Sequence, residues 1–316
     1  MFKNRHILIF LIIVIIELSS KAVAKKKVVQ KKGAVVDEKN INKTIPIPMI
    51  SKTFISHKKA EYQASPKYKL GVCLIGKNFS SILERIFCFL NIVDNKTRHN
   101  FSTCDRKYRY KSLHKMRIAQ KLSSVDKMFK KYEMLMIVRN PIDRLISGFM
   151  QLCYFRIYLK PNEDYCYKCG KNLSCFINKL QDELWAVTRN EKIPNQFHDY
   201  HFYPQTWQCA YYKYKNNYKQ IKYPSTNKTS FYNNLTHYLE KAGVPKNDVK
   251  FLDKKMRFTK TYHVTNSRDA TKIYRDALYN NTSLLRQVCA IFYHDFIEFG
   301  FDSPSQCDQS KNITIS

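Results

Sequence analysis

Acidic residues are scarce in this chain: 25 Asp and Glu stand against 55 Lys and Arg in 316 residues, a formal net charge of +30. So large an excess predicts a polyanionic partner. No apolar run reaches the roughly 20 residues that span a bilayer comfortably; the run Ile7–Ile16 stops at Glu17. No Pro/Gly/Ser-rich break interrupts the apolar pattern between Ser65 and about Phe301, which excludes a string of small linked domains. Internal repeats are absent too.

Lys3 and Arg5 precede the apolar run, and the small residues Ala22-Val23-Ala24 follow it, the pattern of a secretory leader. Residues 1–24 read as a cleaved signal peptide, with an uncleaved signal anchor as the alternative; membrane contact is expected only through such an anchor. A secretory address argues against nucleic acid, the usual partner of so basic a chain. Residues 25–64, with ten lysines, three acids and little periodicity, read as a basic lumenal stem or linker. Residues 65–301 read as one catalytic domain and 302–316 as a C-terminal tail.

All ten cysteines lie after the leader. In an oxidising lumen an even number favours disulfides. Cys166-x-x-Cys169, with Cys153 and Cys175 nearby, also has zinc-ligand spacing; compartment favours disulfides, and the pairing stays open. Asn-x-Ser/Thr sequons at Asn42, Asn95, Asn100, Asn172, Asn227, Asn234, Asn280, Asn281 and Asn312 suit a glycosylated lumenal chain. A further sequon at Asn78 is expected to stay bare, because a glycan there would block the site described next.

Tyr68–Ile75 reads as a short buried strand, Gly76 as a turn, and Ser80–Leu90 as a helix with Ile82, Leu83, Ile86, Phe87 and Leu90 on one face. Strand, turn, lysine and two hydroxyls at a helix start make an anion cradle, since the free N–H groups and the helix dipole favour a phosphate. A second such unit follows: Tyr132–Val138 as a strand, Arg139, then a helix opened by Pro141 with Asp143 in its first turn. Between them, Asn91–Lys111 is expected to loop out and Ser112–Lys131 to be helical. Further on come a cysteine-rich insert over 154–175, a helix over 175–187 and an aromatic, histidine-bearing loop over 196–209. Strand-like or exposed chain over 211–222, a helix over 233–242 and one or two helices over 270–299 complete the pattern. Alternating strands and helices predict an α/β layered fold.

Gly71-x4-Gly76-Lys77-Asn78 comes within one residue of the nucleotide-binding P-loop pattern, but it lacks the Ser/Thr that holds magnesium. The paired segments resemble a different group. Gly76-Lys77-Asn78-Phe79-Ser80-Ser81 together with Val138-Arg139-Asn140-Pro141-Ile142-Asp143-Arg144-Leu145-Ile146-Ser147 is similar to the two cofactor signatures of Golgi carbohydrate sulfotransferases, sulfotransferase family 2, the group that includes chondroitin sulfotransferases. His201-Phe202-x-Pro204-Gln205 with Cys209, and Tyr293-x-Asp295-Phe296-x-x-Phe299-Gly300, extend the likeness over most of 65–301. Gly76 departs from it, standing where relatives commonly have proline.

The resemblance implies a P-loop-like fold with a central, mainly parallel sheet flanked by helices. It implies 3′-phosphoadenosine 5′-phosphosulfate (PAPS) as donor, no metal, a glycosaminoglycan-type acceptor such as chondroitin, and the Golgi lumen as the site of reaction. Gly76, Lys77, Asn78, Ser80 and Ser81 would hold the 5′-phosphosulfate, and Arg139 with Ser147 the 3′-phosphate. His201 is the candidate general base, its ordinary pKa near 6.5 suiting that task. His198 and His263 stand in reserve, and a glutamate base stays open.

Each residue also has a plainer reading. Lys77 could be a surface lysine, Ser81 with Glu84 a helix-capping box, and Arg139 the partner of Asp143. Ser147 could be a packing residue and His201 a hydrogen-bonded member of the aromatic loop, while Arg144 reads as structural. At the level of the whole chain, the rivals are a secreted glycosaminoglycan-binding relative without turnover and a transferase using another nucleotide donor.

Overall fold

The computed structural model describes residues 61–92, 101, 108–157, 159–160, 162–259 and 268–307. The leader, nearly all of the stem, Cys104, His263, the sequons at Asn42, Asn95, Asn100 and Asn312, and the tail beyond Cys307 lie outside the described residues.

Strands β1 (Glu61–Ser65), β2 (Leu70–Leu74), β3 (Arg109–Tyr110), β4 (Glu133–Arg139) and β5 (Tyr218–Tyr223) form one sheet in the order β3-β1-β2-β4-β5. β2 pairs parallel with β4, and β4 with β5, while β1 runs antiparallel to β2 and β3. The α/β class expected from the sequence is therefore the one found. β1 starts at Glu61, four residues before the boundary drawn at Ser65; with only Tyr62 and Ala64 apolar, pairing defines it more than pattern does.

The helices are α1 (Ser80–Asn91), α2 (Leu113–Ala119), α3 (Val125–Lys131), α4 (Pro141–Phe149), α5 (Leu173–Thr188), α6 (Gln196–Phe202), α7 (Tyr211–Tyr214), α8 (Thr229–Lys241), α9 (Lys246–Phe258), α10 (Asp269–Asn280), α11 (Thr282–Ile291) and α12 (Tyr293–Phe299). Successive side chains of a strand face opposite ways, so the apolar β2 and β4 feed two layers at once. Val72, Leu74, Leu135 and Ile137 pack with Ile82, Leu83, Ile86 and Phe87 of α1 and with Leu235 and Leu252 of α8 and α9. Cys73, Met134, Met136 and Val138 face the other layer, with Met116, Met128, Tyr211 and Phe299. Each such side chain, fully buried, contributes about 2 kcal/mol.

Several expected elements differ. The run 112–131 splits into α2 and α3, capped by the hydroxyls of Ser112 and Ser124. The expected aromatic loop over 196–209 is α6 followed by a short 3-10 turn at Gln205–Trp207, because Asn195 caps the N–H groups of Phe197 and His198. Over 211–222, α7 precedes the strand. The 270–299 stretch holds three helices, Asn281 capping the second. α9 had no expectation at all: only Val249, Leu252 and Met256 of its residues are buried, a narrow stripe on a basic helix.

Cysteine pairing is settled among the described residues: Cys73–Cys209, Cys153–Cys166, Cys169–Cys175 and Cys289–Cys307, with Cys88 disulfide-bonded as well. The four clustered cysteines thus form two disulfides and leave no thiols for a zinc knot. Cys73–Cys209 closes a loop of sequence separation 136 and ties β2 to the turn after Gln205. Changing both cysteines to serine is expected to cost about 3–5 kcal/mol, the loop-closure value for a long loop, read as a lowered urea midpoint under non-reducing conditions. A midpoint unchanged from wild type would show that the bond constrains nothing.

Candidate functional site

The site gathers where β2 and β4 end. Lys77 (φ 71) and Phe79 (φ 64) both adopt left-handed backbone, which for residues with a Cβ costs on the order of 1–2 kcal/mol each. Three residues, Asn78, Arg144 and Phe79, hold the turn in place. Asn78 donates its backbone N–H to Ile75 O at 3.2 Å, and its buried side-chain amide to Ile137 O at 2.9 Å and to Gln205 Oε1 at 2.5 Å. Arg144 Nε donates to Gly76 O at 3.0 Å. Phe79 anchors the far side among the rings of Tyr223, Phe231 and Tyr232.

Gly76 has a steric reason. A Cβ there would lie 2.3 Å from the backbone oxygen of Tyr200, so side chains are excluded by α6 lying across the turn. The departure from proline therefore accompanies a close approach of α6, and the turn is held by these contacts.

α1 begins at Ser80 with Phe79 at its cap and no side-chain cap. Ser81 is a second-position residue, and Glu84 instead accepts from Arg109 at 2.8 Å, so the capping-box reading of Ser81 falls. The first N–H groups of a 12-residue helix thus open beside Lys77. Burial pushes the phenol of Tyr200 up to about 12, and the nearby Ser80 hydroxyl draws it partly back.

From β4, Arg139 donates Nη1 to Lys77 O at 3.0 Å and Nη2 to Ser225 Oγ at 3.4 Å, with its guanidinium 5.5 Å from the Tyr223 ring centre. Ser225 also donates to Asp143, which pairs with Arg275 at 2.7 Å. The two strand–turn–helix units are thereby joined directly, the second reaching the backbone of the first. Asn140 caps α4 by accepting from Ile142 and Asp143 N–H, and Pro141 sits in its first turn as expected.

Arg144 does a different job from Arg139. Only 1% exposed, it donates to Gly76 O, to Tyr203 O at 2.8 Å and to Tyr200 O at 3.1 Å, clamping the turn onto α6. Its structural reading holds.

Beneath the clamp lies a hub built from Gln205 and Asp295, residues of two of the family-like segments. Gln205, fully buried, accepts on Oε1 from Asn78 and from Arg139 N at 3.0 Å, and donates Nε2 to Arg139 O at 2.8 Å. Asp295 in turn accepts from the backbone N–H groups of Gln205 at 2.8 Å and Thr206 at 2.9 Å. Gln151, on a π-helical turn (Met150–Tyr154) directly after α4, accepts from Lys77 Nζ. A lone glutamine amid Phe149-Met150-Gln151-Leu152 was the available signal; π-turns often mark functional sites.

Lys77 is partly accessible from outside but ringed by protein. Burial, and then the neighbouring guanidiniums of Arg139 and Arg144, pull its ammonium down to about 7. The carboxylates nearby answer the arginines: Asp143 acts on Arg139, and Asp295 and Asp199 on Arg144. The cradle is a cluster of positive charge suited to an anion.

The remaining candidates sit as follows. Asn78 is fully buried with its amide turned inward, which leaves no room for a glycan or for a side-chain contact to ligand; its part is to hold the turn. Ser147 lies on α4, 8% exposed. His201 is on α6 beside Tyr200, its ring 4.5 Å from that of Phe197 and 4.9 Å from that of Tyr200. His198 is removed from the reserve: Nδ1 meets Glu183 Oε1 at 2.8 Å and Nε2 meets Tyr165 O at 3.0 Å, so both nitrogens are taken in a buried network. Burial pushes Glu183 up, but bonds from His198, Lys192 and Tyr203 outweigh it and carry the carboxyl down to about 2. That carboxylate is a fixed anion, unsuited to act as a base.

Comparison with known proteins agrees with this geometry. A family model described as "Sulfotransferase family" matches residues 60–302. Carbohydrate sulfotransferase chst-1 of Caenorhabditis elegans is 28% identical over 255 residues, covering 77% of this chain and 76% of its own. A second relative from that organism, vep-2, which carries a sulfotransferase name, is 30% identical over 225 residues, covering 67% of this chain and 68% of its own. No solved structure matches. With more than half of its length matched and both signatures meeting in one cradle, the chain belongs to the sulfotransferase family and is a sulfotransferase.

Proposed function

We propose that the protein transfers a sulfuryl group from PAPS to a hydroxyl of an acidic, glycosaminoglycan-type glycan of the chondroitin kind, in the lumen of the Golgi. The observation that carries this reading is the Arg139 Nη1 to Lys77 O hydrogen bond at 3.0 Å: it joins an uncapped helix start and a second cationic strand end into one site. The disulfides support an oxidising compartment, and the +30 charge supports a polyanionic acceptor. A carbohydrate acceptor is also named for the relative chst-1. In this reading residues 1–24 deliver the chain and residues 25–60, ahead of β1, form a stem.

The residues present fit a donor with two phosphate-type ends. Lys77, with the N–H groups and hydroxyls of Ser80 and Ser81, would hold the 5′ end, and Arg139 with Ser147 the 3′-phosphate, Arg giving a forked, charge-assisted contact. When bound, the donor supplies an electrophilic sulfur on a phosphosulfate bridge. His201 takes the proton of the acceptor hydroxyl as its oxygen bonds to sulfur. Lys77 meets the charge left on the phosphate oxygen as the bridging bond breaks. Catalysis is mainly positioning and charge stabilisation, and the reading assigns no metal.

Isothermal titration with 3′,5′-ADP tests it. Arg139→Ala is expected to weaken binding at least about tenfold, the cost of a lost charged hydrogen bond. No binding by the wild type, or equal binding by the variant, would sink the proposal. If 3′,5′-ADP binds but labelled sulfate reaches no member of a panel of desulfated glycans, the inactive glycan-binding reading replaces it.

A further inference from the structure

At the opposite end of the parallel strands lies a cleft of about 460 Å³. Its rim comes from residues just before or at the starts of β2, β4 and β5, whereas Lys77, Arg139 and Ser225 follow or end those strands. Strand β4 spans seven residues, so at about 3.3 Å per residue the two places are separated by roughly 20 Å of sheet.

The lining has a distinct chemistry. Five lysines, Lys69, Lys130, Lys131, Lys219 and Lys241, border the cleft, and all five are exposed. Glu133 is the one acid among the lining residues, pairing with Lys241 at 2.9 Å and Lys219 at 3.8 Å. A net charge of about +4 around one concavity attracts a polyanion. Ring surface is interleaved with the charge. Phe129 and Tyr238 are half-buried in the wall, and Phe129 is backed by Tyr214 and Tyr218 at 5.0 and 5.4 Å. The rings are thus held in place before any ligand arrives.

We propose that this cleft is a second binding site, separate from the cradle, for an anionic polysaccharide. The lysines would take sulfate or carboxylate groups, and the Phe129 and Tyr238 rings would take the apolar faces of the sugars. A disulfide-bonded chain works where such polysaccharides are found and cytosolic nucleic acid is not, which favours the glycan over other polyanions. Lysine, a compact point charge on a flexible stem, suits unevenly spaced anions better than a fixed arginine fork does. Held some 20 Å from the cradle, the same chain would present its further units to the reacting site at raised local concentration. This shares with the functional proposal only the acidic-glycan class.

The test uses the full-length protein and a sulfated chondroitin oligosaccharide. In Lys130→Glu/Lys131→Glu/Lys219→Glu, affinity for the oligosaccharide is expected to fall at least tenfold while the 3′,5′-ADP affinity stays at the wild-type value, which also reports an intact fold. A matched variant on α9, Lys246→Glu/Lys250→Glu/Lys254→Glu, makes the same charge change elsewhere and should fall less than threefold. Equal losses in the two variants, or no loss in the first, would overturn the site. Tighter binding of a single-stranded oligonucleotide of equal charge would overturn the assigned ligand class. Should 3′,5′-ADP fail to bind the wild type while the cleft variant still loses glycan affinity, the functional proposal falls and this one stands.

Discussion

Replacing Lys77 by methionine is expected to lower sulfate transfer at least about a hundredfold, the typical loss for one preorganised donor to developing charge, while making the protein harder to unfold below pH 7. Both halves follow from one fact. The ammonium is brought from its ordinary 10.5 down to about 7 by burial and by Arg139 and Arg144, so the free protein holds that charge against its own interest. Methionine keeps the length of the side chain and removes the charge, relieving the turn and disarming the site.

The sign of the pH effect is defined. Between about 7 and 10.5 the unfolded chain carries a proton on Lys77 that the folded chain does not, so this group makes stability rise with pH through that window. Below about 7 both states are protonated and the full penalty remains. Urea midpoints of wild type and Lys77→Met at pH 6, 7.5 and 9 should therefore converge as pH rises. Bound 3′,5′-ADP restores the charge, so binding near pH 8 should take up a proton, visible as a buffer-dependent heat. A variant with transfer within threefold of wild type, or midpoints that do not converge, would show that Lys77 is not the charge partner described.

Arg144→Ala is expected to cost about 3–5 kcal/mol of folding stability, the range for removing one partner from a buried charged network. The carbonyls of Gly76, Tyr200 and Tyr203 would each lose a donor. Asp295, fully buried, would lose a compensating charge. Arg139→Ala should cost stability as well, since its guanidinium is only 3% exposed and donates to Lys77 O and Ser225, and it should in addition lose donor affinity. The two arginines, five positions apart in one motif, would then be told apart by titration with 3′,5′-ADP, which Arg139→Ala weakens directly. If Arg144→Ala folds as firmly as wild type, the clamp onto α6 contributes little.

Much of the fold was legible because its signals are local. Leu70–Leu74 and residues 134–138 are unbroken runs without a charged residue, and buried parallel strands need both faces apolar. Elements defined by a cap or a narrow stripe were not. Asn195 turns an expected loop into α6, and α9 rests on three buried side chains in a basic stretch. Ser81 with Glu84 matched a capping pattern, yet Glu84 had a better partner in Arg109, which no local pattern can reveal.

The sequence by itself determined that two cationic strand–turn–helix units exist, that they match two sulfotransferase signatures, and that the whole surface is strongly basic. These depend on residues adjacent in the chain. Only the tertiary structure decided that Arg139 reaches the backbone of Lys77 while Arg144 ties the turn to α6, that Gln205 and Asp295 underpin both, that His198 is engaged by Glu183, and that five lysines converge at the other end of the strands. Those contacts join residues tens of positions apart, and which donor meets which acceptor is set by where the sheet brings their backbones together, not by any spacing along the chain.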